Sequence, residues 1–115
     1  MKRFDPSPFL PLTPAMFQVL VALADGEKHG YAVIKEVARR TDGQVRLRAA
    51  TLYSVIRRFV DDGLIAESDA RPDPALDDDR RRYYRLTDRG RAVAVAETRR
   101  MADTLAQARA KLGTA

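Results

Sequence analysis

Three glycines, Gly26, Gly43 and Gly63, each follow a stretch in which apolar residues recur every three or four positions. That punctuation leaves room for three short helices in the first half of the chain and for little else. Thr13-Pro14 opens the first of them. A threonine side chain accepts a hydrogen bond from a free amide, and proline at the first helical position sacrifices nothing. Phe17, Leu20, Val21 and Ala24 then share a face, and Asp25-Gly26 closes a helix over about 13–25. The second helix runs over about 30–41, with Tyr31, Ile34, Val37 and Ala38 expected inward. Residues 44–47 form a linker with room for one rung of strand. The third helix, about 49–62, has an apolar stripe of Leu52, Val55, Ile56, Phe59 and Val60. Its other face carries Thr51, Ser54, Arg57, Arg58 and Asp61.

The period changes after Gly63. Residues 64–68 read as a short strand and 81–86 as another, with Tyr84 and Leu86 alternating against Tyr83 and Arg85. The loop between them, 69–80, holds two prolines and five aspartates (Asp69, Asp73, Asp77, Asp78 and Asp79). Strand, loop and strand directly after a third helix describe a β-wing. Thr87-Asp88 starts a last helix over about 88–112, with a carboxylate at its positive end. Ala94, Thr98, Met101, Leu105, Ala108 and Leu112 are spaced alternately four and three apart, a heptad-like seam. An amphipathic helix beyond an already complete small domain needs cover for its apolar face, and a second copy of the chain supplies it most simply. The expected fold is mainly α with a small β-wing: a winged helix-turn-helix plus a C-terminal dimerisation helix. The expected division is an N-terminal arm at 1–12, a winged domain at 13–87 and the dimerisation helix at 88–115. The arm, with Pro6, Pro8 and Pro11, should be extended, and its Phe4, Phe9 and Leu10 should pack on the body.

Composition removes several classes of function. The chain has no cysteine, so thiol chemistry, disulfides and zinc thiolates are absent. Its one histidine, His29, has no nucleophile or carboxylate at a motif spacing, and the triple aspartate lacks the spaced ligands of a calcium loop. No catalytic residue, metal or cofactor is therefore expected, and the chain does not read as an enzyme. His29 reads instead as a hydrogen-bonding residue at the start of the second helix, within reach of a phosphate. The longest apolar run, residues 19–24, is far short of the ~20 residues that cross a bilayer. The prolines after Met1-Lys2-Arg3 break any signal-peptide core. A cytoplasmic location without a membrane partner is expected, nucleoid-associated when bound to DNA.

Charge points to the partner. The chain carries 21 basic and 16 acidic residues, a net +5. Residues 35–58 alone hold seven basic residues and two acidic ones, so the surplus is local. In a winged helix-turn-helix the third helix enters the major groove with its N-terminal half. Here that helix offers Arg48, Thr51, Ser54, Arg57 and Arg58, and Lys35 precedes them. Arginine reads guanine through two hydrogen bonds, and serine and threonine serve phosphates or bases. Tyr53 sits beside this face, either donating its hydroxyl to a phosphate or half-buried with the hydroxyl in water. Arg80, Arg81 and Arg82 begin the second wing strand, where they either straddle a phosphate backbone or pair with Asp77, Asp78 and Asp79. Double-stranded DNA is the expected partner. A winged-helix protein-docking module without DNA binding is the alternative, and an arginine row on the third helix is what such a module would not need.

Four short segments in register carry a resemblance: His29-Gly30-Tyr31, Thr51-Leu52-Tyr53, Gly63-Leu64-Ile65, and Arg82-Tyr83-Tyr84-Arg85-Leu86-Thr87 with Gly90. Together they resemble the PadR family of bacterial transcriptional regulators, from about Leu12 to the start of the last helix. The resemblance implies a homodimeric repressor acting on an inverted-repeat operator, with the single C-terminal helix of the short-form branch. It also implies that Tyr31, Thr51 and Tyr53 meet the DNA backbone. Arg48-Ala49-Ala50 stands where the family usually has Gly or Pro, and Ser54 where it often has Pro. Some members of the family bind flat hydrophobic compounds at the dimer interface, so a small hydrophobic effector is the ligand class the resemblance leaves open. The last helix, however, carries no aromatic residue.

Overall fold

A computed structural model describes residues 3–68 and 82–113. Within them the elements run in the order α1 (Pro14–Ala22), β1 (Lys28–His29), α2 (Gly30–Arg40), α3 (Ala49–Asp61), β2 (Ile65–Ser68), β3 (Tyr83–Leu86) and α4 (Asp88–Leu112), with a 3-10 turn at Ser7–Phe9 before them. This is a mainly α-helical fold with a small antiparallel wing. The wing's sheet has the order β1-β3-β2. His29 pairs with Tyr83, and Ser68 pairs with Tyr83 from the other side.

Thr13 caps α1 as expected, its hydroxyl accepting from the Met16 amide at 3.2 Å. The helix ends at Ala22, earlier than its apolar period suggests, because turns take over through Leu23 and Ala24 to Gly26, whose φ is 147°. The side chains that α1 gives the core are Val19, Leu20 and Ala22, with Leu23 just after it. Phe17, Val21 and Ala24 are only half-buried. The inward face of α2 also differs from expectation. Gly30, Val33 and Val37 are buried, whereas Tyr31 points out and is 52% exposed. The apolar period of α2 is short, and both Tyr31 and Val33 fit a plausible stripe. Packing against α1 and α3 selects the small, β-branched Val33. The arm is not fully extended, since it turns at Ser7–Phe9 and lays Phe4, Phe9, Leu10 and Leu12 on the body. Residues 44–47 form no strand, and the third strand of the sheet is β1 instead.

α3 follows its pattern closely. Leu52, Val55, Ile56 and Phe59 are buried, and Val60 lies at the rim of the stripe, 36% exposed. The link from α2 to α3 is held by Thr41, whose hydroxyl donates to the Val37 carbonyl at 2.8 Å and accepts from the Val45 amide at 3.0 Å. The start of α4 is fastened to the end of α3. The Thr87 hydroxyl donates to the Gly63 carbonyl at 2.7 Å and accepts from the Gly90 amide at 3.0 Å. A Cβ at Gly90 would lie 2.0 Å from the Leu64 carbonyl oxygen, so only glycine permits this approach. The orientation of α4 relative to α3 is thereby set by backbone contact.

α4 has two unlike halves. Gly90, Val93 and Glu97 are buried against the body, and Ala94 packs beside the core. From residue 98 onward every described residue but the half-buried Ala108 is exposed. Among the described residues no helix is long and apolar enough to cross a membrane.

Candidate nucleic-acid interface

The outward face of α3 is the polar face that its sequence dictates. Thr51, Ser54, Arg57 and Arg58 are all exposed, while Leu52, Val55 and Ile56 between them are buried. A period of 3.6 residues makes this division sharp. Arg48 stands at the N-cap, where its guanidinium, a donor only, cannot serve the free helix amides, and it too is exposed. Tyr53 is half-buried at the edge of this face, with its ring against the amino end of α2 at Gly30.

α2 brings two further candidates to the surface. The Lys35 ammonium lies 4.7 Å from the centre of the Tyr31 ring, one turn apart, a cation–π contact that holds both side chains on the exposed face. His29 caps α2: its Nδ1 accepts from the Ala32 amide at 3.1 Å. Its ring meets Tyr83 edge-on at 5.6 Å, so the residue also ties α2 to β3.

The charge of residues 35–58 is divided in space. Arg40 donates to Gln18 at 2.6 Å and lies 3.5 Å from Glu36, and Glu36 also faces Lys28 at 3.5 Å. Arg39 and Arg40 border a groove against α1 rather than the face of α3. Lys28 also bonds to Asp25 and to the Ala22 carbonyl. This contact holds the Asp25 carboxyl below its ordinary range, through the Lys28 hydrogen bond first and the charge second. Carboxylates thus gather on the α1 side of α2, and Lys35 stands on the other.

Between α3 and the wing lies a cleft of about 360 Å³, bounded by Tyr53, Arg57 and Asp61 on one wall and by Glu67, Arg82 and Tyr84 on the other. Arg82 pairs with Glu67 at 3.0 Å, both side chains about half exposed. Such a surface pair is worth ~0–1 kcal/mol, so a phosphate can take its arginine. Arg80, Arg81 and the aspartate loop at 69–80 lie outside the described residues.

Among the seam residues, Met101 is 44%, Leu105 51% and Leu112 75% exposed. Thr98 is exposed and donates its hydroxyl back to the Ala94 carbonyl at 2.8 Å. Ala94 itself is partly covered by its own domain. Met101, Leu105 and Ala108 border a shallow apolar depression with Arg100 at its rim.

The residue that the sequence reading missed is Glu97, 1% exposed. It accepts from the Leu12 amide at 2.7 Å and from the Arg100 guanidinium. The Arg100 hydrogen bond, with help from the Leu12 amide, holds its carboxyl below the ordinary 4.5 although burial opposes this. Arg100 is pushed up in return, by the same hydrogen bond. The signal was present in the spacing of Gly90, Val93 and Glu97, which share one face, but a glutamate there is indistinguishable from a solvated charge. Among the described residues no group of three or more His, Cys, Asp or Glu is placed to hold a metal ion.

Residues 19–96 match the model of the transcriptional regulator PadR-like family. The structure is similar to that of a PadR family transcriptional regulator from Eggerthella lenta, with a TM-score of 0.66 and 28% identity over 93% of this chain and 83% of that one. It is also similar to BpsR of Bordetella bronchiseptica, whose DNA binding is regulated by 6-hydroxynicotinic acid. That match has a TM-score of 0.61 and 34% identity, and covers 90% of this chain. An uncharacterized protein of Lysinibacillus sphaericus is 30% identical over 74 residues, 64% of this chain. The chain spans a little under two thirds of the length of these last two proteins, 64% and 65%.

Proposed function

This chain belongs to the PadR-like family of DNA-binding transcriptional regulators, and from that membership we propose that it is a homodimeric repressor of an inverted-repeat operator. The observation that carries the reading is the division of α3, buried on Leu52, Val55, Ile56 and Phe59 and open on Thr51, Ser54, Arg57 and Arg58. In this reading Arg57 and Arg58 reach base edges or phosphates in the major groove, with Arg48, Thr51 and Ser54 nearer the helix start. Tyr31, Lys35 and Tyr53 bind the backbone beside them, and Arg80, Arg81 and Arg82 bind it from the wing. The arm at 1–12 braces the winged domain at 13–87, and the C-terminal segment at 88–115 pairs with its copy through Ala94, Thr98, Met101, Leu105, Ala108 and Leu112.

Two copies of α3 would then enter successive major grooves on one face of the duplex. Enrichment of bound fragments from a random DNA pool tests this. The expected product is an inverted repeat with half-site centres about 10 bp, or a multiple, apart. Affinity for it should fall steeply as salt rises, because phosphate contacts release counterions. A pool without enrichment, or binding indifferent to salt, would overturn the reading and favour a docking module.

The small-molecule side of the proposal rests on the likeness to BpsR. A small aromatic acid is the effector class to screen first, with 6-hydroxynicotinic acid as the starting compound. A supporting result is release of the enriched fragment on adding the compound.

A further inference from the structure

α2, α3 and the wing converge on two adjacent residues, His29 and Gly30. His29 caps α2 and pairs with Tyr83 of β3. Gly30, buried at the first position of α2, receives the ring of Tyr53 from α3. A Cβ built on Gly30 would lie 2.6 Å from the Tyr53 hydroxyl oxygen, 2.9 Å from Cζ and 3.0 Å from Cε1. These distances are below any ordinary carbon contact, so the ring occupies the space that a side chain would take.

The kind of atom met at Gly30 decides what the glycine is for. At Gly90 the nearest atom is a backbone carbonyl, which cannot move without the chain moving. At Gly30 all three nearest atoms belong to the far end of one side chain, which can swing aside. Adding a methyl group at Gly30 therefore displaces Tyr53 more readily than it disrupts the fold. Tyr31, the next residue, is exposed on the same helix end, so the displaced ring belongs to the edge where both tyrosines stand.

We propose that Gly30 is a positioning residue for DNA binding: its missing side chain seats Tyr53 against the amino end of α2 and so sets where the Tyr53 hydroxyl meets the DNA backbone. This inference rests on the DNA-binding reading above. No φ constraint is involved, since the left-handed glycines of the chain are Gly26, Gly43, Gly63 and Gly113. What matters at Gly30 is space alone.

The test is a pair of substitutions read against each other on the full chain, with the DNA fragment enriched by the wild type as probe. Gly30→Ala should weaken binding by about tenfold, the size of one lost phosphate contact. Its melting temperature should stay near that of the wild type. Tyr53→Leu removes the ring that Gly30 accommodates, and should weaken binding by a similar factor. Adding Gly30→Ala to Tyr53→Leu should then change neither affinity nor melting temperature, a complete loss of additivity. If Gly30→Ala binds as tightly as the wild type, the inference fails while the DNA reading stands. It fails equally if the second substitution weakens Tyr53→Leu further, which would assign Gly30 a role independent of Tyr53. Should Gly30→Ala alone not fold, the comparison of Tyr53→Leu with the double variant still decides, because the two must match. A wild type that binds no DNA overturns the DNA reading and this inference with it.

Discussion

Two surfaces that the described residues leave uncovered are opposites. The outer face of α3 presents hydroxyls and guanidinium groups, from Thr51 to Arg58. The outer face of the second half of α4 presents Met101, Leu105 and Leu112. Water satisfies the first surface and is ordered unfavourably by the second, at ~25 cal/mol for each Å² of apolar area. A charged face can therefore wait for a partner at little cost, whereas an apolar one gains free energy by keeping it. On the proposed reading this separates conditional binding to DNA from constitutive pairing of the chain. The connection between them is stiff, because Thr87 and Gly90 fasten the start of α4 to the turn that ends α3.

The comparison breaks most visibly at Leu105. Leu105→Asp should convert dimers to monomers in light scattering. It should also weaken binding to a two-half-site fragment by about 10²-fold or more, because linked binding is lost. A dimer that survives the substitution would show that the apolar face is not the pairing surface. Gly90→Ala attacks the joint between the surfaces. A Cβ 2.0 Å from the Leu64 carbonyl oxygen should cost about 3 kcal/mol in urea unfolding, since backbone must shift. An unchanged midpoint would mean that α4 is held less tightly than the contact implies.

Arg57→Ala sharpens the charged side. It should reduce affinity for the enriched fragment by ~1–3 kcal/mol and affinity for random DNA by less, if Arg57 reads a base. Equal losses on both would make it a phosphate contact only. Glu97→Gln has the smallest expected effect and is read through pH. The Glu97 carboxyl lies below 4.5 in the folded chain, chiefly through Arg100, so its contribution to stability is full above about pH 4.5 and fades as pH falls through the folded value. The variant should be less stable at pH 7 and should lose less than the wild type on acidification to pH 3. Parallel curves for the two proteins would remove Glu97 from the account of how the arm is held.

How much of this was legible in the sequence differs between the same two regions. The split of α3 was readable residue by residue, because Leu52, Val55, Ile56 and Phe59 repeat at helical spacing and the polar residues fill the gaps. On α4 the alternating spacings of four and three picked out Met101, Leu105 and Leu112, which stand exposed, but also Ala94, which the body of the chain partly covers. α2 misled, since Tyr31 and Val33 both suit a buried stripe and only the neighbouring helices choose between them. Glu97 was hidden for another reason. Its partners are an arginine one turn away and a backbone amide 85 residues distant, and no local pattern announces the second. The seat of Tyr53 on Gly30 was invisible for the same cause. A missing side chain leaves no mark in a sequence until the residue that fills its place is known.

Hydroxyl-radical footprinting of the wild-type protein on its enriched fragment reads both surfaces in one experiment. If the outer face of α3 enters the groove and α4 pairs two copies, protection should appear as two symmetric patches, their centres about 10 bp or a multiple apart. A single asymmetric patch, or uniform protection on any duplex offered, would contradict that arrangement.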